Sequence, residues 1–275
     1  RPCPSRTQAA AFRLLRRAAN THNEMATTKW PGALPSVDCV FALTTTNSTQ
    51  MDLLERHVLH PFGLLHRTSI LEQRAHDPDG PTAGIARAHI AAWRASLERR
   101  CKHTLIFEDD AFFELDAATR SLPRAEAFLQ AGTPYDIFLL GWGGQPTVGL
   151  SSQPCVFNIS GWVDLHAYVI SPEAAQRWAS LEWPELREEQ RLEGDADPVP
   201  GRRAHDNGGA IDTAVMRHLD RGRFYTVRPM AAFQRFHNSS RRQSDAARQY
   251  WSDLAEHFWS QPDFMHATVE KATYA

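Results

Sequence analysis

The sequence lacks an excess of charge of either sign. Its 30 Lys and Arg against 32 Asp and Glu leave a formal net charge of −2 at pH 7. A chain without a basic excess has little with which to neutralise phosphates, so general nucleic-acid binding is excluded. No apolar run approaches the ~20 residues that span a bilayer. Lysine is almost missing: Lys29, Lys102 and Lys271 are the only three. That shortage reads as the mark of a GC-rich genome. The chain has no C-x-x-C, no G-x-x-x-x-G-K-[ST], no H-E-x-x-H and no G-x-S-x-G. Their absence removes the zinc-ribbon, thioredoxin-like, P-loop, zincin and hydrolase-elbow readings.

What remains is an ordinary globular composition. The 275 residues are 42% hydrophobic, enough to bury a proper core in one large or two small domains. Cys3, Cys39, Cys101 and Cys155 lie far apart, and four cysteines allow three pairings among which sequence cannot choose. Half of the six asparagines, Asn47, Asn158 and Asn238, open N-x-[ST] sequons. This leans toward the secretory pathway, a Golgi or ER lumen, with a cytoplasmic location as the alternative. The chain opens on Arg1-Pro2-Cys3-Pro4 and not on Met. A missing upstream anchor is therefore the one route to a membrane that the sequence leaves open.

Residues 1–36 read as an amphipathic helix over 7–19 and a Pro/Gly connector. A buried strand is expected at 37–44, a helix at 51–59 that stops before Pro61, and a second strand at 64–70. Residues 83–100 form the clearest helix, with Ile85, His89, Ala92, Trp93 and Leu97 on one face. Strands follow at 103–107, 135–140, 165–170 and 223–228. Helices are expected at 121–131, from Pro172, at 209–219 and at 244–258, with a loop at 185–207. Strands alternating with helices make the class α/β, and apolar strands buried on both faces suggest a mixed, mostly parallel sheet flanked by helices in a single domain. Residues 37–246 would form this domain, and 247–275 a helical extension.

In such sheets ligands bind beyond the carboxyl ends of the strands. Glu108-Asp109-Asp110 directly follows the Thr104–Phe107 strand. Three adjacent carboxylates repel unless solvated or neutralised, and their hard oxygens suit Mn²⁺ or Mg²⁺. Strand alternation would send Glu108 and Asp110 to one side and Asp109 to the other. One of these carboxylates could hold metal while another grips a ribose hydroxyl or a loop, with Asp110 and Asp109 the metal ligands of choice and His237 a candidate third; the alternative is a solvated acidic turn. Asp212, at the start of a helix, is either a general base or an acid satisfying the helix dipole. Arg241, Arg242, Gln243 and Ser244 supply guanidiniums, an amide and a hydroxyl ahead of a helix, a cradle for a pyrophosphate or an ordinary cap. In Gly141-Trp142-Gly143-Gly144, Trp142 beside Gly143 is either a platform for a sugar face or, equally, a core or turn tryptophan. His89, on an apolar helix face, reads more readily as a satisfied core histidine than as a ligand.

Four segments occur in an order that resembles the family 25 glycosyltransferases. They are Gly84-Ile85-Ala86-Arg87-Ala88-His89 with Trp93, Leu105-Ile106-Phe107-Glu108-Asp109-Asp110, His166-Ala167-Tyr168-Val169-Ile170-Ser171, and Ala210-Ile211-Asp212. Gln234 and Ser244-Asp245 correspond to later family positions. Ala88 stands where the family has Ser, and Thr44-Thr45-Thr46-Asn47 replaces the family's Asn-Leu and arginine pair. The resemblance implies a GT-A fold and a metal-dependent, inverting transfer of a hexose, galactose favoured, from a UDP-sugar to a glycan or glycoprotein hydroxyl. It implies donor contacts at Thr44, Thr45, His89, Glu108, Arg241, Arg242, Gln243 and Ser244. Acceptor or sugar contacts would fall at Trp142, Gly143 and His166, with Asp212 as base. The alternatives are a metal-dependent phosphohydrolase using the same carboxylates and a non-catalytic sugar-binding or scaffold protein.

Overall fold

The computed structural model describes residues 33–45, 49–73, 77–79, 81–113, 115–163, 165–181, 211, 215 and 223–234. All of them fall within one compact unit, Arg1–Gln234. The expected helices at 7–19 and 244–258 and the expected loop at 185–207 lie outside the described residues. No helix of the described residues is long and apolar enough to cross a membrane.

Ten strands are present among the described residues: β1 (Cys39–Thr45), β2 (Thr68–Gln73), β3 (Thr104–Glu108), β4 (Ala111–Phe113), β5 (Ile137–Leu139), β6 (Gly143–Leu150), β7 (Val156–Val163), β8 (Ala167–Ile170), β9 (Phe224–Val227) and β10 (Ala232–Gln234). The helices are α1 (Thr49–Leu54), continued by a π turn over Glu55–Leu59, then α2 (Pro81–Glu98), α3 (Leu115–Gln130) and α4 (Pro172–Trp178). Eight strands form one sheet in the order β2-β1-β3-β8-β5-β9-β7-β6, and β4 pairs with β10 in a small second sheet. In the large sheet β7 and β8 run against the other six. The sheet is thus mixed and mostly parallel, as the alternation of elements suggests.

Period-two alternation divides the sheet's side chains between two helical layers. Val40, Ala42, Leu105, Phe107, Phe138, Leu140 and Val169 join Leu54, Val58, Leu122, Ala125 and Phe128 in one core cluster beneath α1, the π turn and α3. On the other face Trp93 of α2 packs on Trp178 of α4, and Trp178 stacks on Phe224. Burial of both faces explains why β8 is apolar throughout although it is antiparallel to both neighbours. Its hydrophobicity reflects cover by helices, not strand direction.

Local chemistry sets the ends. Ser171 caps α4, its hydroxyl accepting from the Ala174 N–H at 3.2 Å, with Pro172 in the first turn. α2 ends in a Schellman arrangement: Cys101 N–H donates to Ser96 and Arg100 N–H to Leu97, with Arg100 at φ 57°. The turn delivers Cys101 to Cys39 at the head of β1, and the two form a disulfide. Cys155 is also disulfide-bonded, so no described cysteine is free.

Two expectations shift and one hairpin is new. The second strand begins at Thr68, because Leu65–Arg67 form a 3₁₀ turn that buries Leu64. α3 starts at Leu115 and runs through Pro123, since burial of Ala117, Ala118 and Leu122 outweighs the proline's breaking tendency. The β6–β7 hairpin is absent from the sequence reading. Gly143, Gly144, Pro146 and Gly149 dilute its pattern, yet β6 is an edge strand, where proline is tolerated, and its register shifts between Gly144 and Thr147.

At the amino edge, Asp136 accepts from the Arg223 N–H at 2.7 Å and from the Arg177 and Arg223 guanidiniums. Burial pushes its carboxyl up, but these donors outweigh burial and hold it below the ordinary aspartate value. This buried acid is a tie between β5, β9 and α4, on the side of the sheet away from Glu108-Asp109-Asp110.

Candidate active site at the carboxyl edge of the sheet

β1 and β3 are parallel and pair Leu43 with Glu108, so Thr44, Thr45 and the acidic run emerge together. β8 enters here because it is antiparallel to β3, and the Glu108 N–H donates to the His166 carbonyl at 2.9 Å. β5 leads out through Leu140, Gly141 and Trp142. The β4–β10 ladder sets Gln234 opposite Ala111, directly after Asp110.

Glu108 and Asp109 turn to opposite sides, as expected for these two. Glu108 shares the face of Ile106 and turns toward α2, where its Oε1 lies 3.1 Å from His89 Nε2. Asp109 goes to the other face and accepts from the Thr44 hydroxyl at 2.7 Å. Glu108, Asp109 and Asp110 are half-buried, and Thr45 is exposed. Three carboxylates therefore stand at one edge, two of them held by different partners on opposite faces.

Behind Glu108 the structure joins residues from separate parts of the chain. His89 Nδ1 lies 2.8 Å from the Tyr168 hydroxyl, which accepts from Trp93 Nε1 at 2.9 Å. His89 and Trp93, one helical turn apart on α2, meet Tyr168 of β8 and Glu108 of β3. Three of the four segments quoted for the family resemblance thus converge at one point. Sequence reasoning singled out His89 and Glu108 but missed Tyr168 and Trp93. The His-x-x-x-Trp spacing, which puts both on one helix face, was the available signal.

Three expected site residues are interior. His89 has no exposed surface, so it stands behind Glu108 and offers no ring to a donor. Trp142 is buried and donates from Nε1 to the Thr226 hydroxyl at 3.1 Å, which makes it a core tryptophan and not an open platform. His166 is enclosed against Gly141 and Ala232. Burial holds its imidazole near pKa 4, with the Ala232 backbone acting in the opposite direction. It is neutral at physiological pH and lies beneath the edge, not on it. Gly143 is described by its backbone alone, as the first residue of β6.

Asp212, His237, Arg241, Arg242, Gln243 and Ser244 lie outside the described residues. Ile211 and Val215, on either side of Asp212, are helical and buried. Among the described residues no group of three or more His, Cys, Asp and Glu side chains is placed to hold a metal ion. The donor set still fits a hard cation: two half-buried carboxylates at a sheet edge match the one or two carboxylates by which Mg²⁺-type ions are held, with waters and substrate phosphates completing the shell.

No family model and no curated protein matches the chain. Solved structures similar to it include A197 from STIV, at 15% identity and a TM-score of 0.41, covering 72% of this chain and 86% of that one. A mannose-1-phosphate geranyltransferase from Thermus thermophilus is similar at 12% identity and a TM-score of 0.40, covering 69% and 73%. A glycosyltransferase involved in the glycosylation of the major capsid of PBCV-1 is similar at 11% identity and a TM-score of 0.39, covering 78% and 99%.

The edge itself is built from backbone. Leu140 O accepts from the Ala231 and Ala232 N–H groups at 2.9 and 3.0 Å, drawing the β9–β10 connection against β5. Gly141 sits at this junction, buried, with no room for a side chain. The close approach of another segment is what requires glycine at this position.

Proposed function

We propose that this protein is a metal-dependent inverting glycosyltransferase that moves a hexose, galactose favoured, from a UDP-sugar to a hydroxyl of a glycan or glycoprotein. The observation that carries the reading is the divided acidic run at the carboxyl edge. Glu108, tied back to His89, is suited to accept from a hydroxyl of the donor. Asp109, braced by Thr44, and Asp110 are suited to hold Mn²⁺ or Mg²⁺, with His237 as a further ligand. When bound, the cation would supply Lewis-acid stabilisation of the charge that develops on a departing diphosphate.

The chain's own groups would do the rest. The acceptor oxygen bonds to the anomeric carbon as the bond to the diphosphate breaks, and Asp212 takes the hydroxyl proton. Attack from the face opposite the leaving group inverts the anomeric centre. Arg241, Arg242, Gln243 and Ser244 would donate hydrogen bonds to the diphosphate. The disulfide between Cys39 and Cys101 and the exposed position of sequon residue Asn158 on β7 support a location in the secretory lumen.

The test is a transfer assay with UDP-galactose and UDP-glucose, Mn²⁺ and a panel of saccharide and glycopeptide acceptors. The expected result is acceptor-dependent UDP release that stops on chelation, with an inverted anomeric configuration by NMR. Hydrolysis of simple phosphate esters without preference for nucleotide-sugars would favour the phosphohydrolase instead. Saccharide binding with no turnover on any donor would favour a binding protein.

A further inference from the structure

The chain of hydrogen bonds behind Glu108 has only one consistent direction. An indole N–H can only donate, so Trp93 Nε1 donates to the Tyr168 oxygen at 2.9 Å. Tyr168 is fully buried on β8, and burial, despite the Trp93 donor, raises its hydroxyl far above the ordinary range, so it keeps its proton. With Trp93 as donor, the hydroxyl's proton goes to the acceptor in reach, His89 Nδ1 at 2.8 Å. If Nδ1 carried a proton instead, two donors would point at one buried hydroxyl and strand its hydrogen, a costly arrangement. His89 is therefore the Nε2–H tautomer, and that N–H donates to the Glu108 carboxylate at 3.1 Å.

We propose that Trp93 and Tyr168 are positioning residues: through the tautomer of His89 they fix Glu108 as an oriented acceptor for a donor hydroxyl at the carboxyl edge. The identity of that ligand rests on the nucleotide-sugar reading above; the direction of the relay does not. The geometry suits the role. The far end, Trp93, Tyr168 and His89, is buried in the layer between α2 and the sheet, while the Glu108 side chain keeps 22% of its surface exposed. A carboxylate at a strand end otherwise samples several rotamers, and ordering it on binding costs affinity. An N–H held from behind removes that cost, as outer groups do for ligands of a metal site.

The experiment uses the full chain. Histidine ¹⁵N spectra are recorded on the wild type, with His89→Gln assigning the resonance. The relay requires a protonated Nε2 and an unprotonated, hydrogen-bonded Nδ1; an Nδ1–H tautomer or an imidazolium at neutral pH would overturn it. Affinity for the UDP-sugar that the transfer assay selects is then measured in a double-mutant cycle of Tyr168→Phe and Glu108→Gln. Tyr168→Phe alone is expected to weaken binding roughly tenfold, the size of one charge-assisted hydrogen bond. In the Glu108→Gln background it should have no further effect, because the end of the relay is already gone. The same factor in both backgrounds would mean that Tyr168 acts by packing alone, and the proposal fails. If Tyr168→Phe does not fold, Trp93→Phe removes the N–H at the head of the chain and serves in its place. If the wild type binds no nucleotide-sugar, the functional reading falls, while the histidine spectrum still decides the relay.

Discussion

Gly141→Ala is expected to destabilise the protein by roughly 3 kcal/mol or more, through overpacking that the site cannot relieve. A Cβ there would run into the Ala232 carbonyl oxygen and His166 Nε2, and would stand 2.8 Å from the Ala232 carbonyl carbon. Neither neighbour can retreat cheaply. The Ala231 and Ala232 N–H groups are bonded to Leu140 O, and His166 is walled in and carries the carbonyl that accepts from Glu108 N–H. The strain would fall on the junction that aligns β5, β8 and β10 beneath the acidic residues. Urea unfolding followed by tryptophan fluorescence measures the loss. Gly149→Ala is the control: among the described residues its Cβ would meet only Asn158 Cβ, at 3.8 Å, an ordinary contact. Equal stabilities of the two variants would show that the junction has room for a side chain.

Asp110→Asn is expected to lower turnover on the order of 10²–10³-fold, the scale seen when one preorganised electrostatic contact to developing charge is removed. The substitution keeps size and shape and deletes one negative charge from a run of three. Charge on the diphosphate grows further as the glycosidic bond breaks, so the variant should lose kcat as well as affinity for the donor. Stability should change little, because removing a carboxylate from a like-charged cluster also removes repulsion. Steady-state rates with the best UDP-sugar, set beside the melting temperature of the variant, separate the two. A variant that keeps its rate would place the cation, or the chemistry, away from Asp110.

Much of this edge is legible in the amino-acid sequence. A run of Leu105-Ile106-Phe107 ending in three acids states both the strand and the place where ligands gather, and alternation alone sends Glu108 and Asp109 to opposite faces. The face of α2 is equally plain from Ile85, His89 and Trp93. What sequence could not supply are contacts between distant segments. The Tyr168 hydroxyl reaches His89 across 79 positions. The Cys39–Cys101 pairing is one of three that spacing allows. From sequence Trp142 reads equally as a sugar platform and as a core or turn residue; the fold decides by covering it and satisfying its N–H with Thr226. The β6–β7 hairpin escaped because glycine and proline punctuate its first strand, and an edge strand tolerates both.

The central claim is that the acidic edge binds a nucleotide-sugar in partnership with a divalent cation. Isothermal titration of the wild-type protein with UDP-galactose and UDP-glucose, in Mn²⁺ and again in EDTA, tests it most directly. The account predicts saturable binding of one UDP-sugar in Mn²⁺, weakened at least about tenfold by EDTA and weakened equally by Asp110→Asn with the metal present. Binding that is indifferent to both the cation and Asp110, or no binding of any UDP-sugar to the folded protein, would contradict it.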